Sequence, residues 1–237
     1  MAAYLGEFLG TALLVLLGDG ICANVNLNKS GFKGGGLVII TLGWGLAVML
    51  PAMIFSGICA ASYNPALTIA LCIDGTLPWS ICAGYIIAEM LGGFVGAVLV
   101  WITFKPQFDA TEDGALTRGC FCTAPSARNI PYNILQEAIA TFWLVFAIKG
   151  LGNLGAIDGG VGKFLVGAII VSCGMSFGGL TGYAMNPARD TAPRIAYAVL
   201  PIKGKVDADW GYAIVPIVGP IIGAIVAVLL FSVIPWA

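Results

Sequence analysis

Apolar residues gather in six long blocks, roughly 4–24, 36–56, 80–104, 133–150, 161–180 and 211–235, parted by short polar or glycine-rich stretches. A transmembrane helix needs about 20 mostly apolar residues, so the pattern predicts six spans, with both chain ends on one side. The first block begins almost at Met1, without a basic region or a small-residue cleavage site, and reads as a retained span and not a signal peptide. Two apolar pieces remain, Asn64 to Ile73 and Asn186 to Leu200, and both are too short to cross.

Both short pieces begin with Asn-Pro-Ala. Asn is a favoured N-cap and Pro a favoured first helical residue, so the triplet is a compact start signal for a helix. Ser62-Tyr63 and Ala184-Met185 precede the two starts, and Gly57 and Gly182 are expected to supply flexible backbone just upstream. Each piece therefore reads as a half-helix entered from an irregular segment. Such backbone is tolerated at membrane depth only where protein or a water-filled cavity satisfies its polar groups.

An internal repeat supports this reading. Glu7-Phe-Leu-Gly-Thr11 followed by Leu14-Val15 matches Glu137-Ala-Ile-Ala-Thr141 followed by Leu144-Val145, and the Asn-Pro-Ala triplets follow the two glutamates by 57 and 49 residues. The chain thus divides into repeat one (about 1–104), a connecting loop (about 105–132) and repeat two (about 133–237) of a single transmembrane domain. Each repeat has three spans, and three is odd, so the second is inverted relative to the first. The expected fold is an all-α membrane protein of six transmembrane helices and two re-entrant half-helices that meet at the midplane.

Composition narrows the function. Hydrophobic residues make up 59% of the 237 and charged residues 10%, against about 45–50% and about 25% in soluble domains. The net charge of −1 on scattered basic residues leaves no nucleic-acid footprint. The chain has no histidine, the commonest general base and metal ligand, and it shows no metal-ligand cluster and no paired carboxylates on one helix turn. Neither an enzyme nor a cofactor is expected. Cys22, Cys72, Cys82 and Cys173 lie in or beside apolar runs as small hydrophobes, and Cys120 and Cys122 are too close for an easy disulfide and read as free thiols.

These residues resemble the major intrinsic protein family, the aquaporins and glycerol facilitators, over essentially the whole chain. The second box, Asn186-Pro187-Ala188-Arg189-Asp190-Thr-Ala-Pro-Arg194, resembles the glycerol-conducting branch through Asp190 and Arg194, as does Val215-Pro216-Ile217 in the last span. The resemblance implies a selectivity ring of Trp44, Gly174, Tyr183 and Arg189, two boxes formed by Asn64, Pro65 and Ala66 and by Asn186, Pro187 and Ala188, and pore-facing carbonyls of Ala60, Ala61, Ser62, Gly182 and Tyr183. It places Glu7 and Glu137 against the re-entrant loops as supports. Two positions depart from the family pattern: Tyr183 stands where glycerol facilitators usually have Phe, and Ser62 where the family usually has His. Gly174 is expected to leave the space that a His fills in water channels.

The implied function is passive diffusion of glycerol, related small neutral solutes and water, with ions and protons excluded. The alternatives are a water-selective channel of the same fold and an ion-coupled secondary transporter, whose one candidate coupling group is Glu89. Glu89 reads chiefly as a buried hydrogen-bonding group, Asp19 as a residue that reaches the interface near the end of the first span, and Asn28-Lys29-Ser30 as a sequon without meaning. By resemblance the chain is a homotetramer with one pore per subunit, in the lipid bilayer of the plasma membrane with cytoplasmic termini. The positive-inside rule points the other way, because Lys149 and Lys163 alone share the side of the termini; the family pattern is followed here.

Overall fold

The computed structural model describes residues 1–155 and 159–236. Among them there are helices and no strand. The long helices are α1 (Ala2–Asn26), α2 (Gly36–Phe55), α4 (Trp79–Thr103), α7 (Ile130–Gly150), α8 (Gly159–Thr181) and α10 (Val215–Val233), and all six are long and apolar enough to span a membrane. The two half-helices are α3 (Pro65–Ile73) and α9 (Pro187–Val199). The connecting loop also holds two short helices that the apolar pattern does not announce, α5 (Lys105–Asp109) and α6 (Gly114–Arg118). The last span starts later than its apolar run because Asp209 adopts a left-handed φ of 57° and residues 210–214 form turns ahead of Pro216.

The halves are built alike and exchange parts. In one, α1 packs on α4; in the other, α7 packs on α10. Each half-helix leans on the last long helix of the opposite half, α3 on α10 and α9 on α4. Glycines set the closest approaches. A Cβ on Gly92 or Gly96 of α4 would lie 2.2 Å from the Phe8 carbonyl oxygen or 2.5 Å from that of Ala12. Gly219 and Gly223 of α10 repeat the four-residue spacing against α7, where a Cβ on Gly223 would lie 2.0 Å from the Ala138 carbonyl oxygen. Helices in lipid associate through close packing of small residues, since lipid tails are as apolar as Leu. Gly223→Ala meets backbone that has no rotamer to change, and the expected cost is about 1–3 kcal/mol, read as a lower melting temperature of the detergent-solubilised protein.

The outward faces carry the apolar surface that lipid needs. On α2, Leu42, Leu46 and Leu50 recur every four residues and all are exposed. At the outer end of α3, Asp74 closes the half-helix and pairs with Lys149 in the last turn of α7, Nζ to Oδ2 2.8 Å. Burial raises the Asp74 carboxyl, but hydrogen bonds from Lys149 and Thr76 outweigh it and hold the group below the ordinary carboxylate range. The seven cysteines are all free, and Cys120 and Cys122 are buried although their sequence neighbourhood is polar. The Asn28 side chain is engaged, its amide donating to the Ala110 carbonyl at 3.0 Å.

Candidate functional site

The two irregular segments are held by the paired glutamates. Glu7, fully buried on α1, accepts from the backbone N–H groups of Ser62 at 3.2 Å and Tyr63 at 2.8 Å. Glu137 on α7 accepts from Ala184 at 3.0 Å, Met185 at 2.8 Å and the Thr181 hydroxyl at 2.5 Å. The threonine of each Glu-x-x-x-Thr motif bonds back to the carbonyl of its own glutamate, Thr11 at 2.7 Å and Thr141 at 2.8 Å. The left-handed backbone these segments need sits mostly on side-chain-bearing residues. Ala61 and Tyr63 in one segment, and Tyr183 and Met185 in the other, have φ between 37° and 55°. Gly182, at φ 80°, behaves as expected, while Gly57 is not left-handed. Non-glycine residues held this way cost of order 1–3 kcal/mol each, and the buried carboxylates offset that cost.

Asn64 and Asn186 each do two jobs. As N-caps they accept from the first turns of their own helices, Asn64 from Ala66 at 3.0 Å, Asn186 from Ala188 at 2.9 Å and Arg189 at 3.2 Å, with Pro65 and Pro187 at the first helical positions. As donors they reach across, Asn64 to the Met185 carbonyl at 2.8 Å and Asn186 to the Tyr63 carbonyl at 2.7 Å. The half-helices thus meet N-terminus to N-terminus. A side-chain amide carries two N–H groups, so each asparagine has a second N–H beyond the one it donates across.

Three of the four residues expected to form the ring line one cavity of about 420 Å³, namely Trp44, Tyr183 and Arg189. The Arg189 guanidinium lies over the Trp44 ring with its carbon 4.0 Å from the centroid, and the indole N–H donates to the Cys22 sulfur at 3.4 Å. Gly174 stands behind Tyr183. A Cβ there would lie 2.5 Å from the Thr41 methyl and 3.0 Å from the Tyr183 Cζ, so the space expected beside this glycine is already filled. Asn186, Asn64, Thr76, Leu77 and Lys163 line the same cavity. Leu14, Val48, Leu67, Leu144 and Ile170 give the lining its aliphatic part. The irregular segments contribute Ala60, Ala61, Ser62, Tyr183 and Ala184. Gly182 is not among the lining residues, and a Cβ on it would lie 3.2 Å from the Thr123 side chain of the connecting loop. The Ser62 hydroxyl has no hydrogen-bond partner among the described residues.

The family model for the major intrinsic protein matches residues 1–231. The chain belongs to the major intrinsic protein family. It is 48% identical over 232 residues to a Thermotoga maritima protein named "Probable glycerol uptake facilitator protein", covering 98% of this chain and 99% of that one. A Streptococcus pneumoniae glycerol uptake facilitator protein is 45% identical over 227 residues, 96% and 97% of the two chains. The X-ray structure of the aquaglyceroporin from Plasmodium falciparum superimposes with a TM-score of 0.88 at 28% identity, covering 98% of this chain and 96% of that one.

Within this major intrinsic protein fold, Asp190 and Arg194 lie behind the cavity wall. Arg194, fully buried, donates to Asp190 at 2.8 and 3.0 Å, to the carbonyls of Ala208 and Asp209 at 2.5 and 3.1 Å, and to that of Thr123 at 3.0 Å. Asp190 in turn accepts from the Thr123 N–H and hydroxyl. This knot ties α9 to two loops. Glu89 is its counterpart behind α3, accepting from the Thr68 hydroxyl at 2.6 Å, since Thr68 and Asp190 each lie four residues after their asparagine. Pro216 is buried in the first turn of α10 beside Ile217, and neither lines the cavity. Two neighbours of the ring lay beyond sequence reasoning. Thr41 carries no motif, and Asp19, expected at the interface, is instead fully buried with Oδ1 3.6 Å from Arg189 Nη1.

Proposed function

We propose that this integral membrane protein is a passive channel, not an enzyme, that conducts glycerol, similar small neutral solutes and water. The observation that carries the reading is a single cavity whose lining combines aliphatic side chains with Trp44, Tyr183, Arg189, both box asparagines and residues of the irregular segments. A linear polyol has an alkyl edge and a row of hydroxyls, and needs both kinds of surface. Trp44 and Tyr183 form the apolar corner of the selectivity ring, with Gly174 behind them, and Arg189 offers guanidinium donors to the hydroxyls. The carbonyls of Ala60, Ala61, Ser62 and Tyr183 accept in sequence, so the solute trades its hydration shell for fixed partners that hold it weakly enough to release it. Glycerol is also what the names of the two bacterial relatives specify.

Ion exclusion follows from the meeting of the two half-helices. Each presents about half a positive charge at its N-terminus, and the free N–H of Asn64 and of Asn186 orients water so that a proton is not relayed through the centre. Glu7 and Glu137 hold the segments in place. Glu89, absent from the cavity lining and bonded to Thr68, has no place on the path and supplies no coupling site. The family pattern adds a homotetramer with one pore per subunit, in the plasma membrane with cytoplasmic termini. Stopped-flow light scattering on proteoliposomes is the test, comparing water with glycerol. Glycerol flux well above that of protein-free vesicles is expected; water flux without glycerol flux would turn the reading toward a water-selective channel narrowed at Tyr183.

A further inference from the structure

We propose that Asp19 is the counter-ion of Arg189, a positioning residue that keeps the guanidinium flat on Trp44 and cancels the charge of the ring. The proposal rests on reading Trp44, Tyr183 and Arg189 as the constriction the solute crosses. Asp19 sits on α1 with no exposed surface, and neither of its carboxylate oxygens has a hydrogen-bond donor among the described residues. Arg189 Nη1 is likewise buried and without an acceptor, and it lies 3.6 Å from Asp19 Oδ1. A carboxylate taken out of water persists only when paired. The other buried cation nearby, Arg194, is already taken up by Asp190 and three carbonyls, which leaves Arg189.

The turn of α1 around Asp19 is shaped for the same purpose. A Cβ on Gly18 would lie 2.2 Å from the Trp44 ring, so the missing side chain is the seat of the indole. Cys22, on the next turn, accepts the indole N–H. Gly18, Asp19 and Cys22 thus fix two members of the ring from behind, while Asp19 itself does not line the cavity. With the pair intact the solute meets oriented donors without net charge, and ion exclusion falls to the half-helices.

Four proteins in proteoliposomes test this: the wild type, Asp19→Asn, Arg189→Val and the double variant, each measured for glycerol flux and for the potassium-to-chloride leak ratio. Asparagine keeps the shape and removes the charge. Asp19→Asn is expected to lower glycerol flux about tenfold, which corresponds to about 1.4 kcal/mol on the barrier, and to turn any leak toward chloride. Arg189→Val, which bares Asp19 to pore water, should turn the leak toward potassium. The double variant should show no ion preference and no less glycerol flux than Arg189→Val alone. An equal fold-loss from Asp19→Asn with and without Arg189, or no loss at all, overturns the pairing, because Asp19 would then act independently. An Arg189→Val protein unchanged in both measurements would instead overturn the ring reading. Should Asp19→Asn fail to reach the membrane, pairing requires that the double variant accumulate like Arg189→Val; its absence overturns the proposal.

Discussion

Glu137→Gln is expected to abolish conduction, and the loss should come from geometry more than from charge. The carboxylate accepts three hydrogen bonds, from the Thr181 hydroxyl and Ala184 N–H on one oxygen and the Met185 N–H on the other. An amide has one acceptor oxygen, so in either orientation an NH2 group confronts a donor. With the oxygen kept on the Ala184 side, the Met185 N–H is buried and unpaired, at about 1–3 kcal/mol. Met185 and Tyr183 are the left-handed residues this anchor holds, and Met185 also carries the carbonyl that accepts from Asn64. Releasing it therefore loosens the far half-helix as well. Glu7→Gln is expected to follow the same course, since the Ser62 and Tyr63 N–H groups bond to separate oxygens of Glu7. Glycerol flux per protein in proteoliposomes, with melting in detergent as the companion measurement, decides the matter. Wild-type flux and stability in Glu137→Gln would show that the second irregular segment stands without its anchor.

What was legible in the sequence was local or repeated. The Asn-Pro-Ala starts announce two helix caps because capping involves a residue and the two or three after it, and Pro65–Ile73 and Pro187–Val199 lie within a residue of the expected bounds. The Glu-x-x-x-Thr pairs stand out because an ionisable residue in an apolar run needs a reason, and having two such sites gave the reason a pattern. Three features escaped because they depend on partners distant in the chain. Asp19 lies near a helix end in sequence, yet its environment is set by Arg189, 170 residues later. Asp190 and Arg194 were markers of a family branch, and only the placement of Thr123, Ala208 and Asp209 turns them into a loop fastening. The left-handed residues escaped in the same way: Ala61 and Tyr63 have ordinary propensities, and it is the Glu7 anchor that holds them there.

The ring shows the same limit at the position where substitution is expected to matter most. From sequence alone, replacing Gly174 with His and Trp44 with Phe should suppress glycerol and spare water. In this chain the two-residue change is expected to stop both. A Cβ at Gly174 already lies 2.5 Å from the Thr41 Cγ2, 3.0 Å from its Oγ1 and 3.0 Å from the Tyr183 Cζ, and an imidazole adds a further ring to a space that the phenol occupies. The Tyr183 ring also passes Gly178, where a Cβ would lie 3.0 Å from its Cδ1, so it is wedged against α8 at two successive turns and cannot retreat along that helix. The imidazole would then drive Tyr183 toward Arg189 and into the path. Shortening the phenol should reverse the block: adding Tyr183→Ala to Gly174→His and Trp44→Phe frees the space, and water flux should return while glycerol flux stays low, because the apolar corner formed by Trp44 and Tyr183 is gone. Parallel water and glycerol measurements on the double and triple variants read the outcome directly. If the double variant conducts water as the wild type does, the Tyr183 ring yields more easily than its packing between Thr41, Gly174 and Gly178 implies.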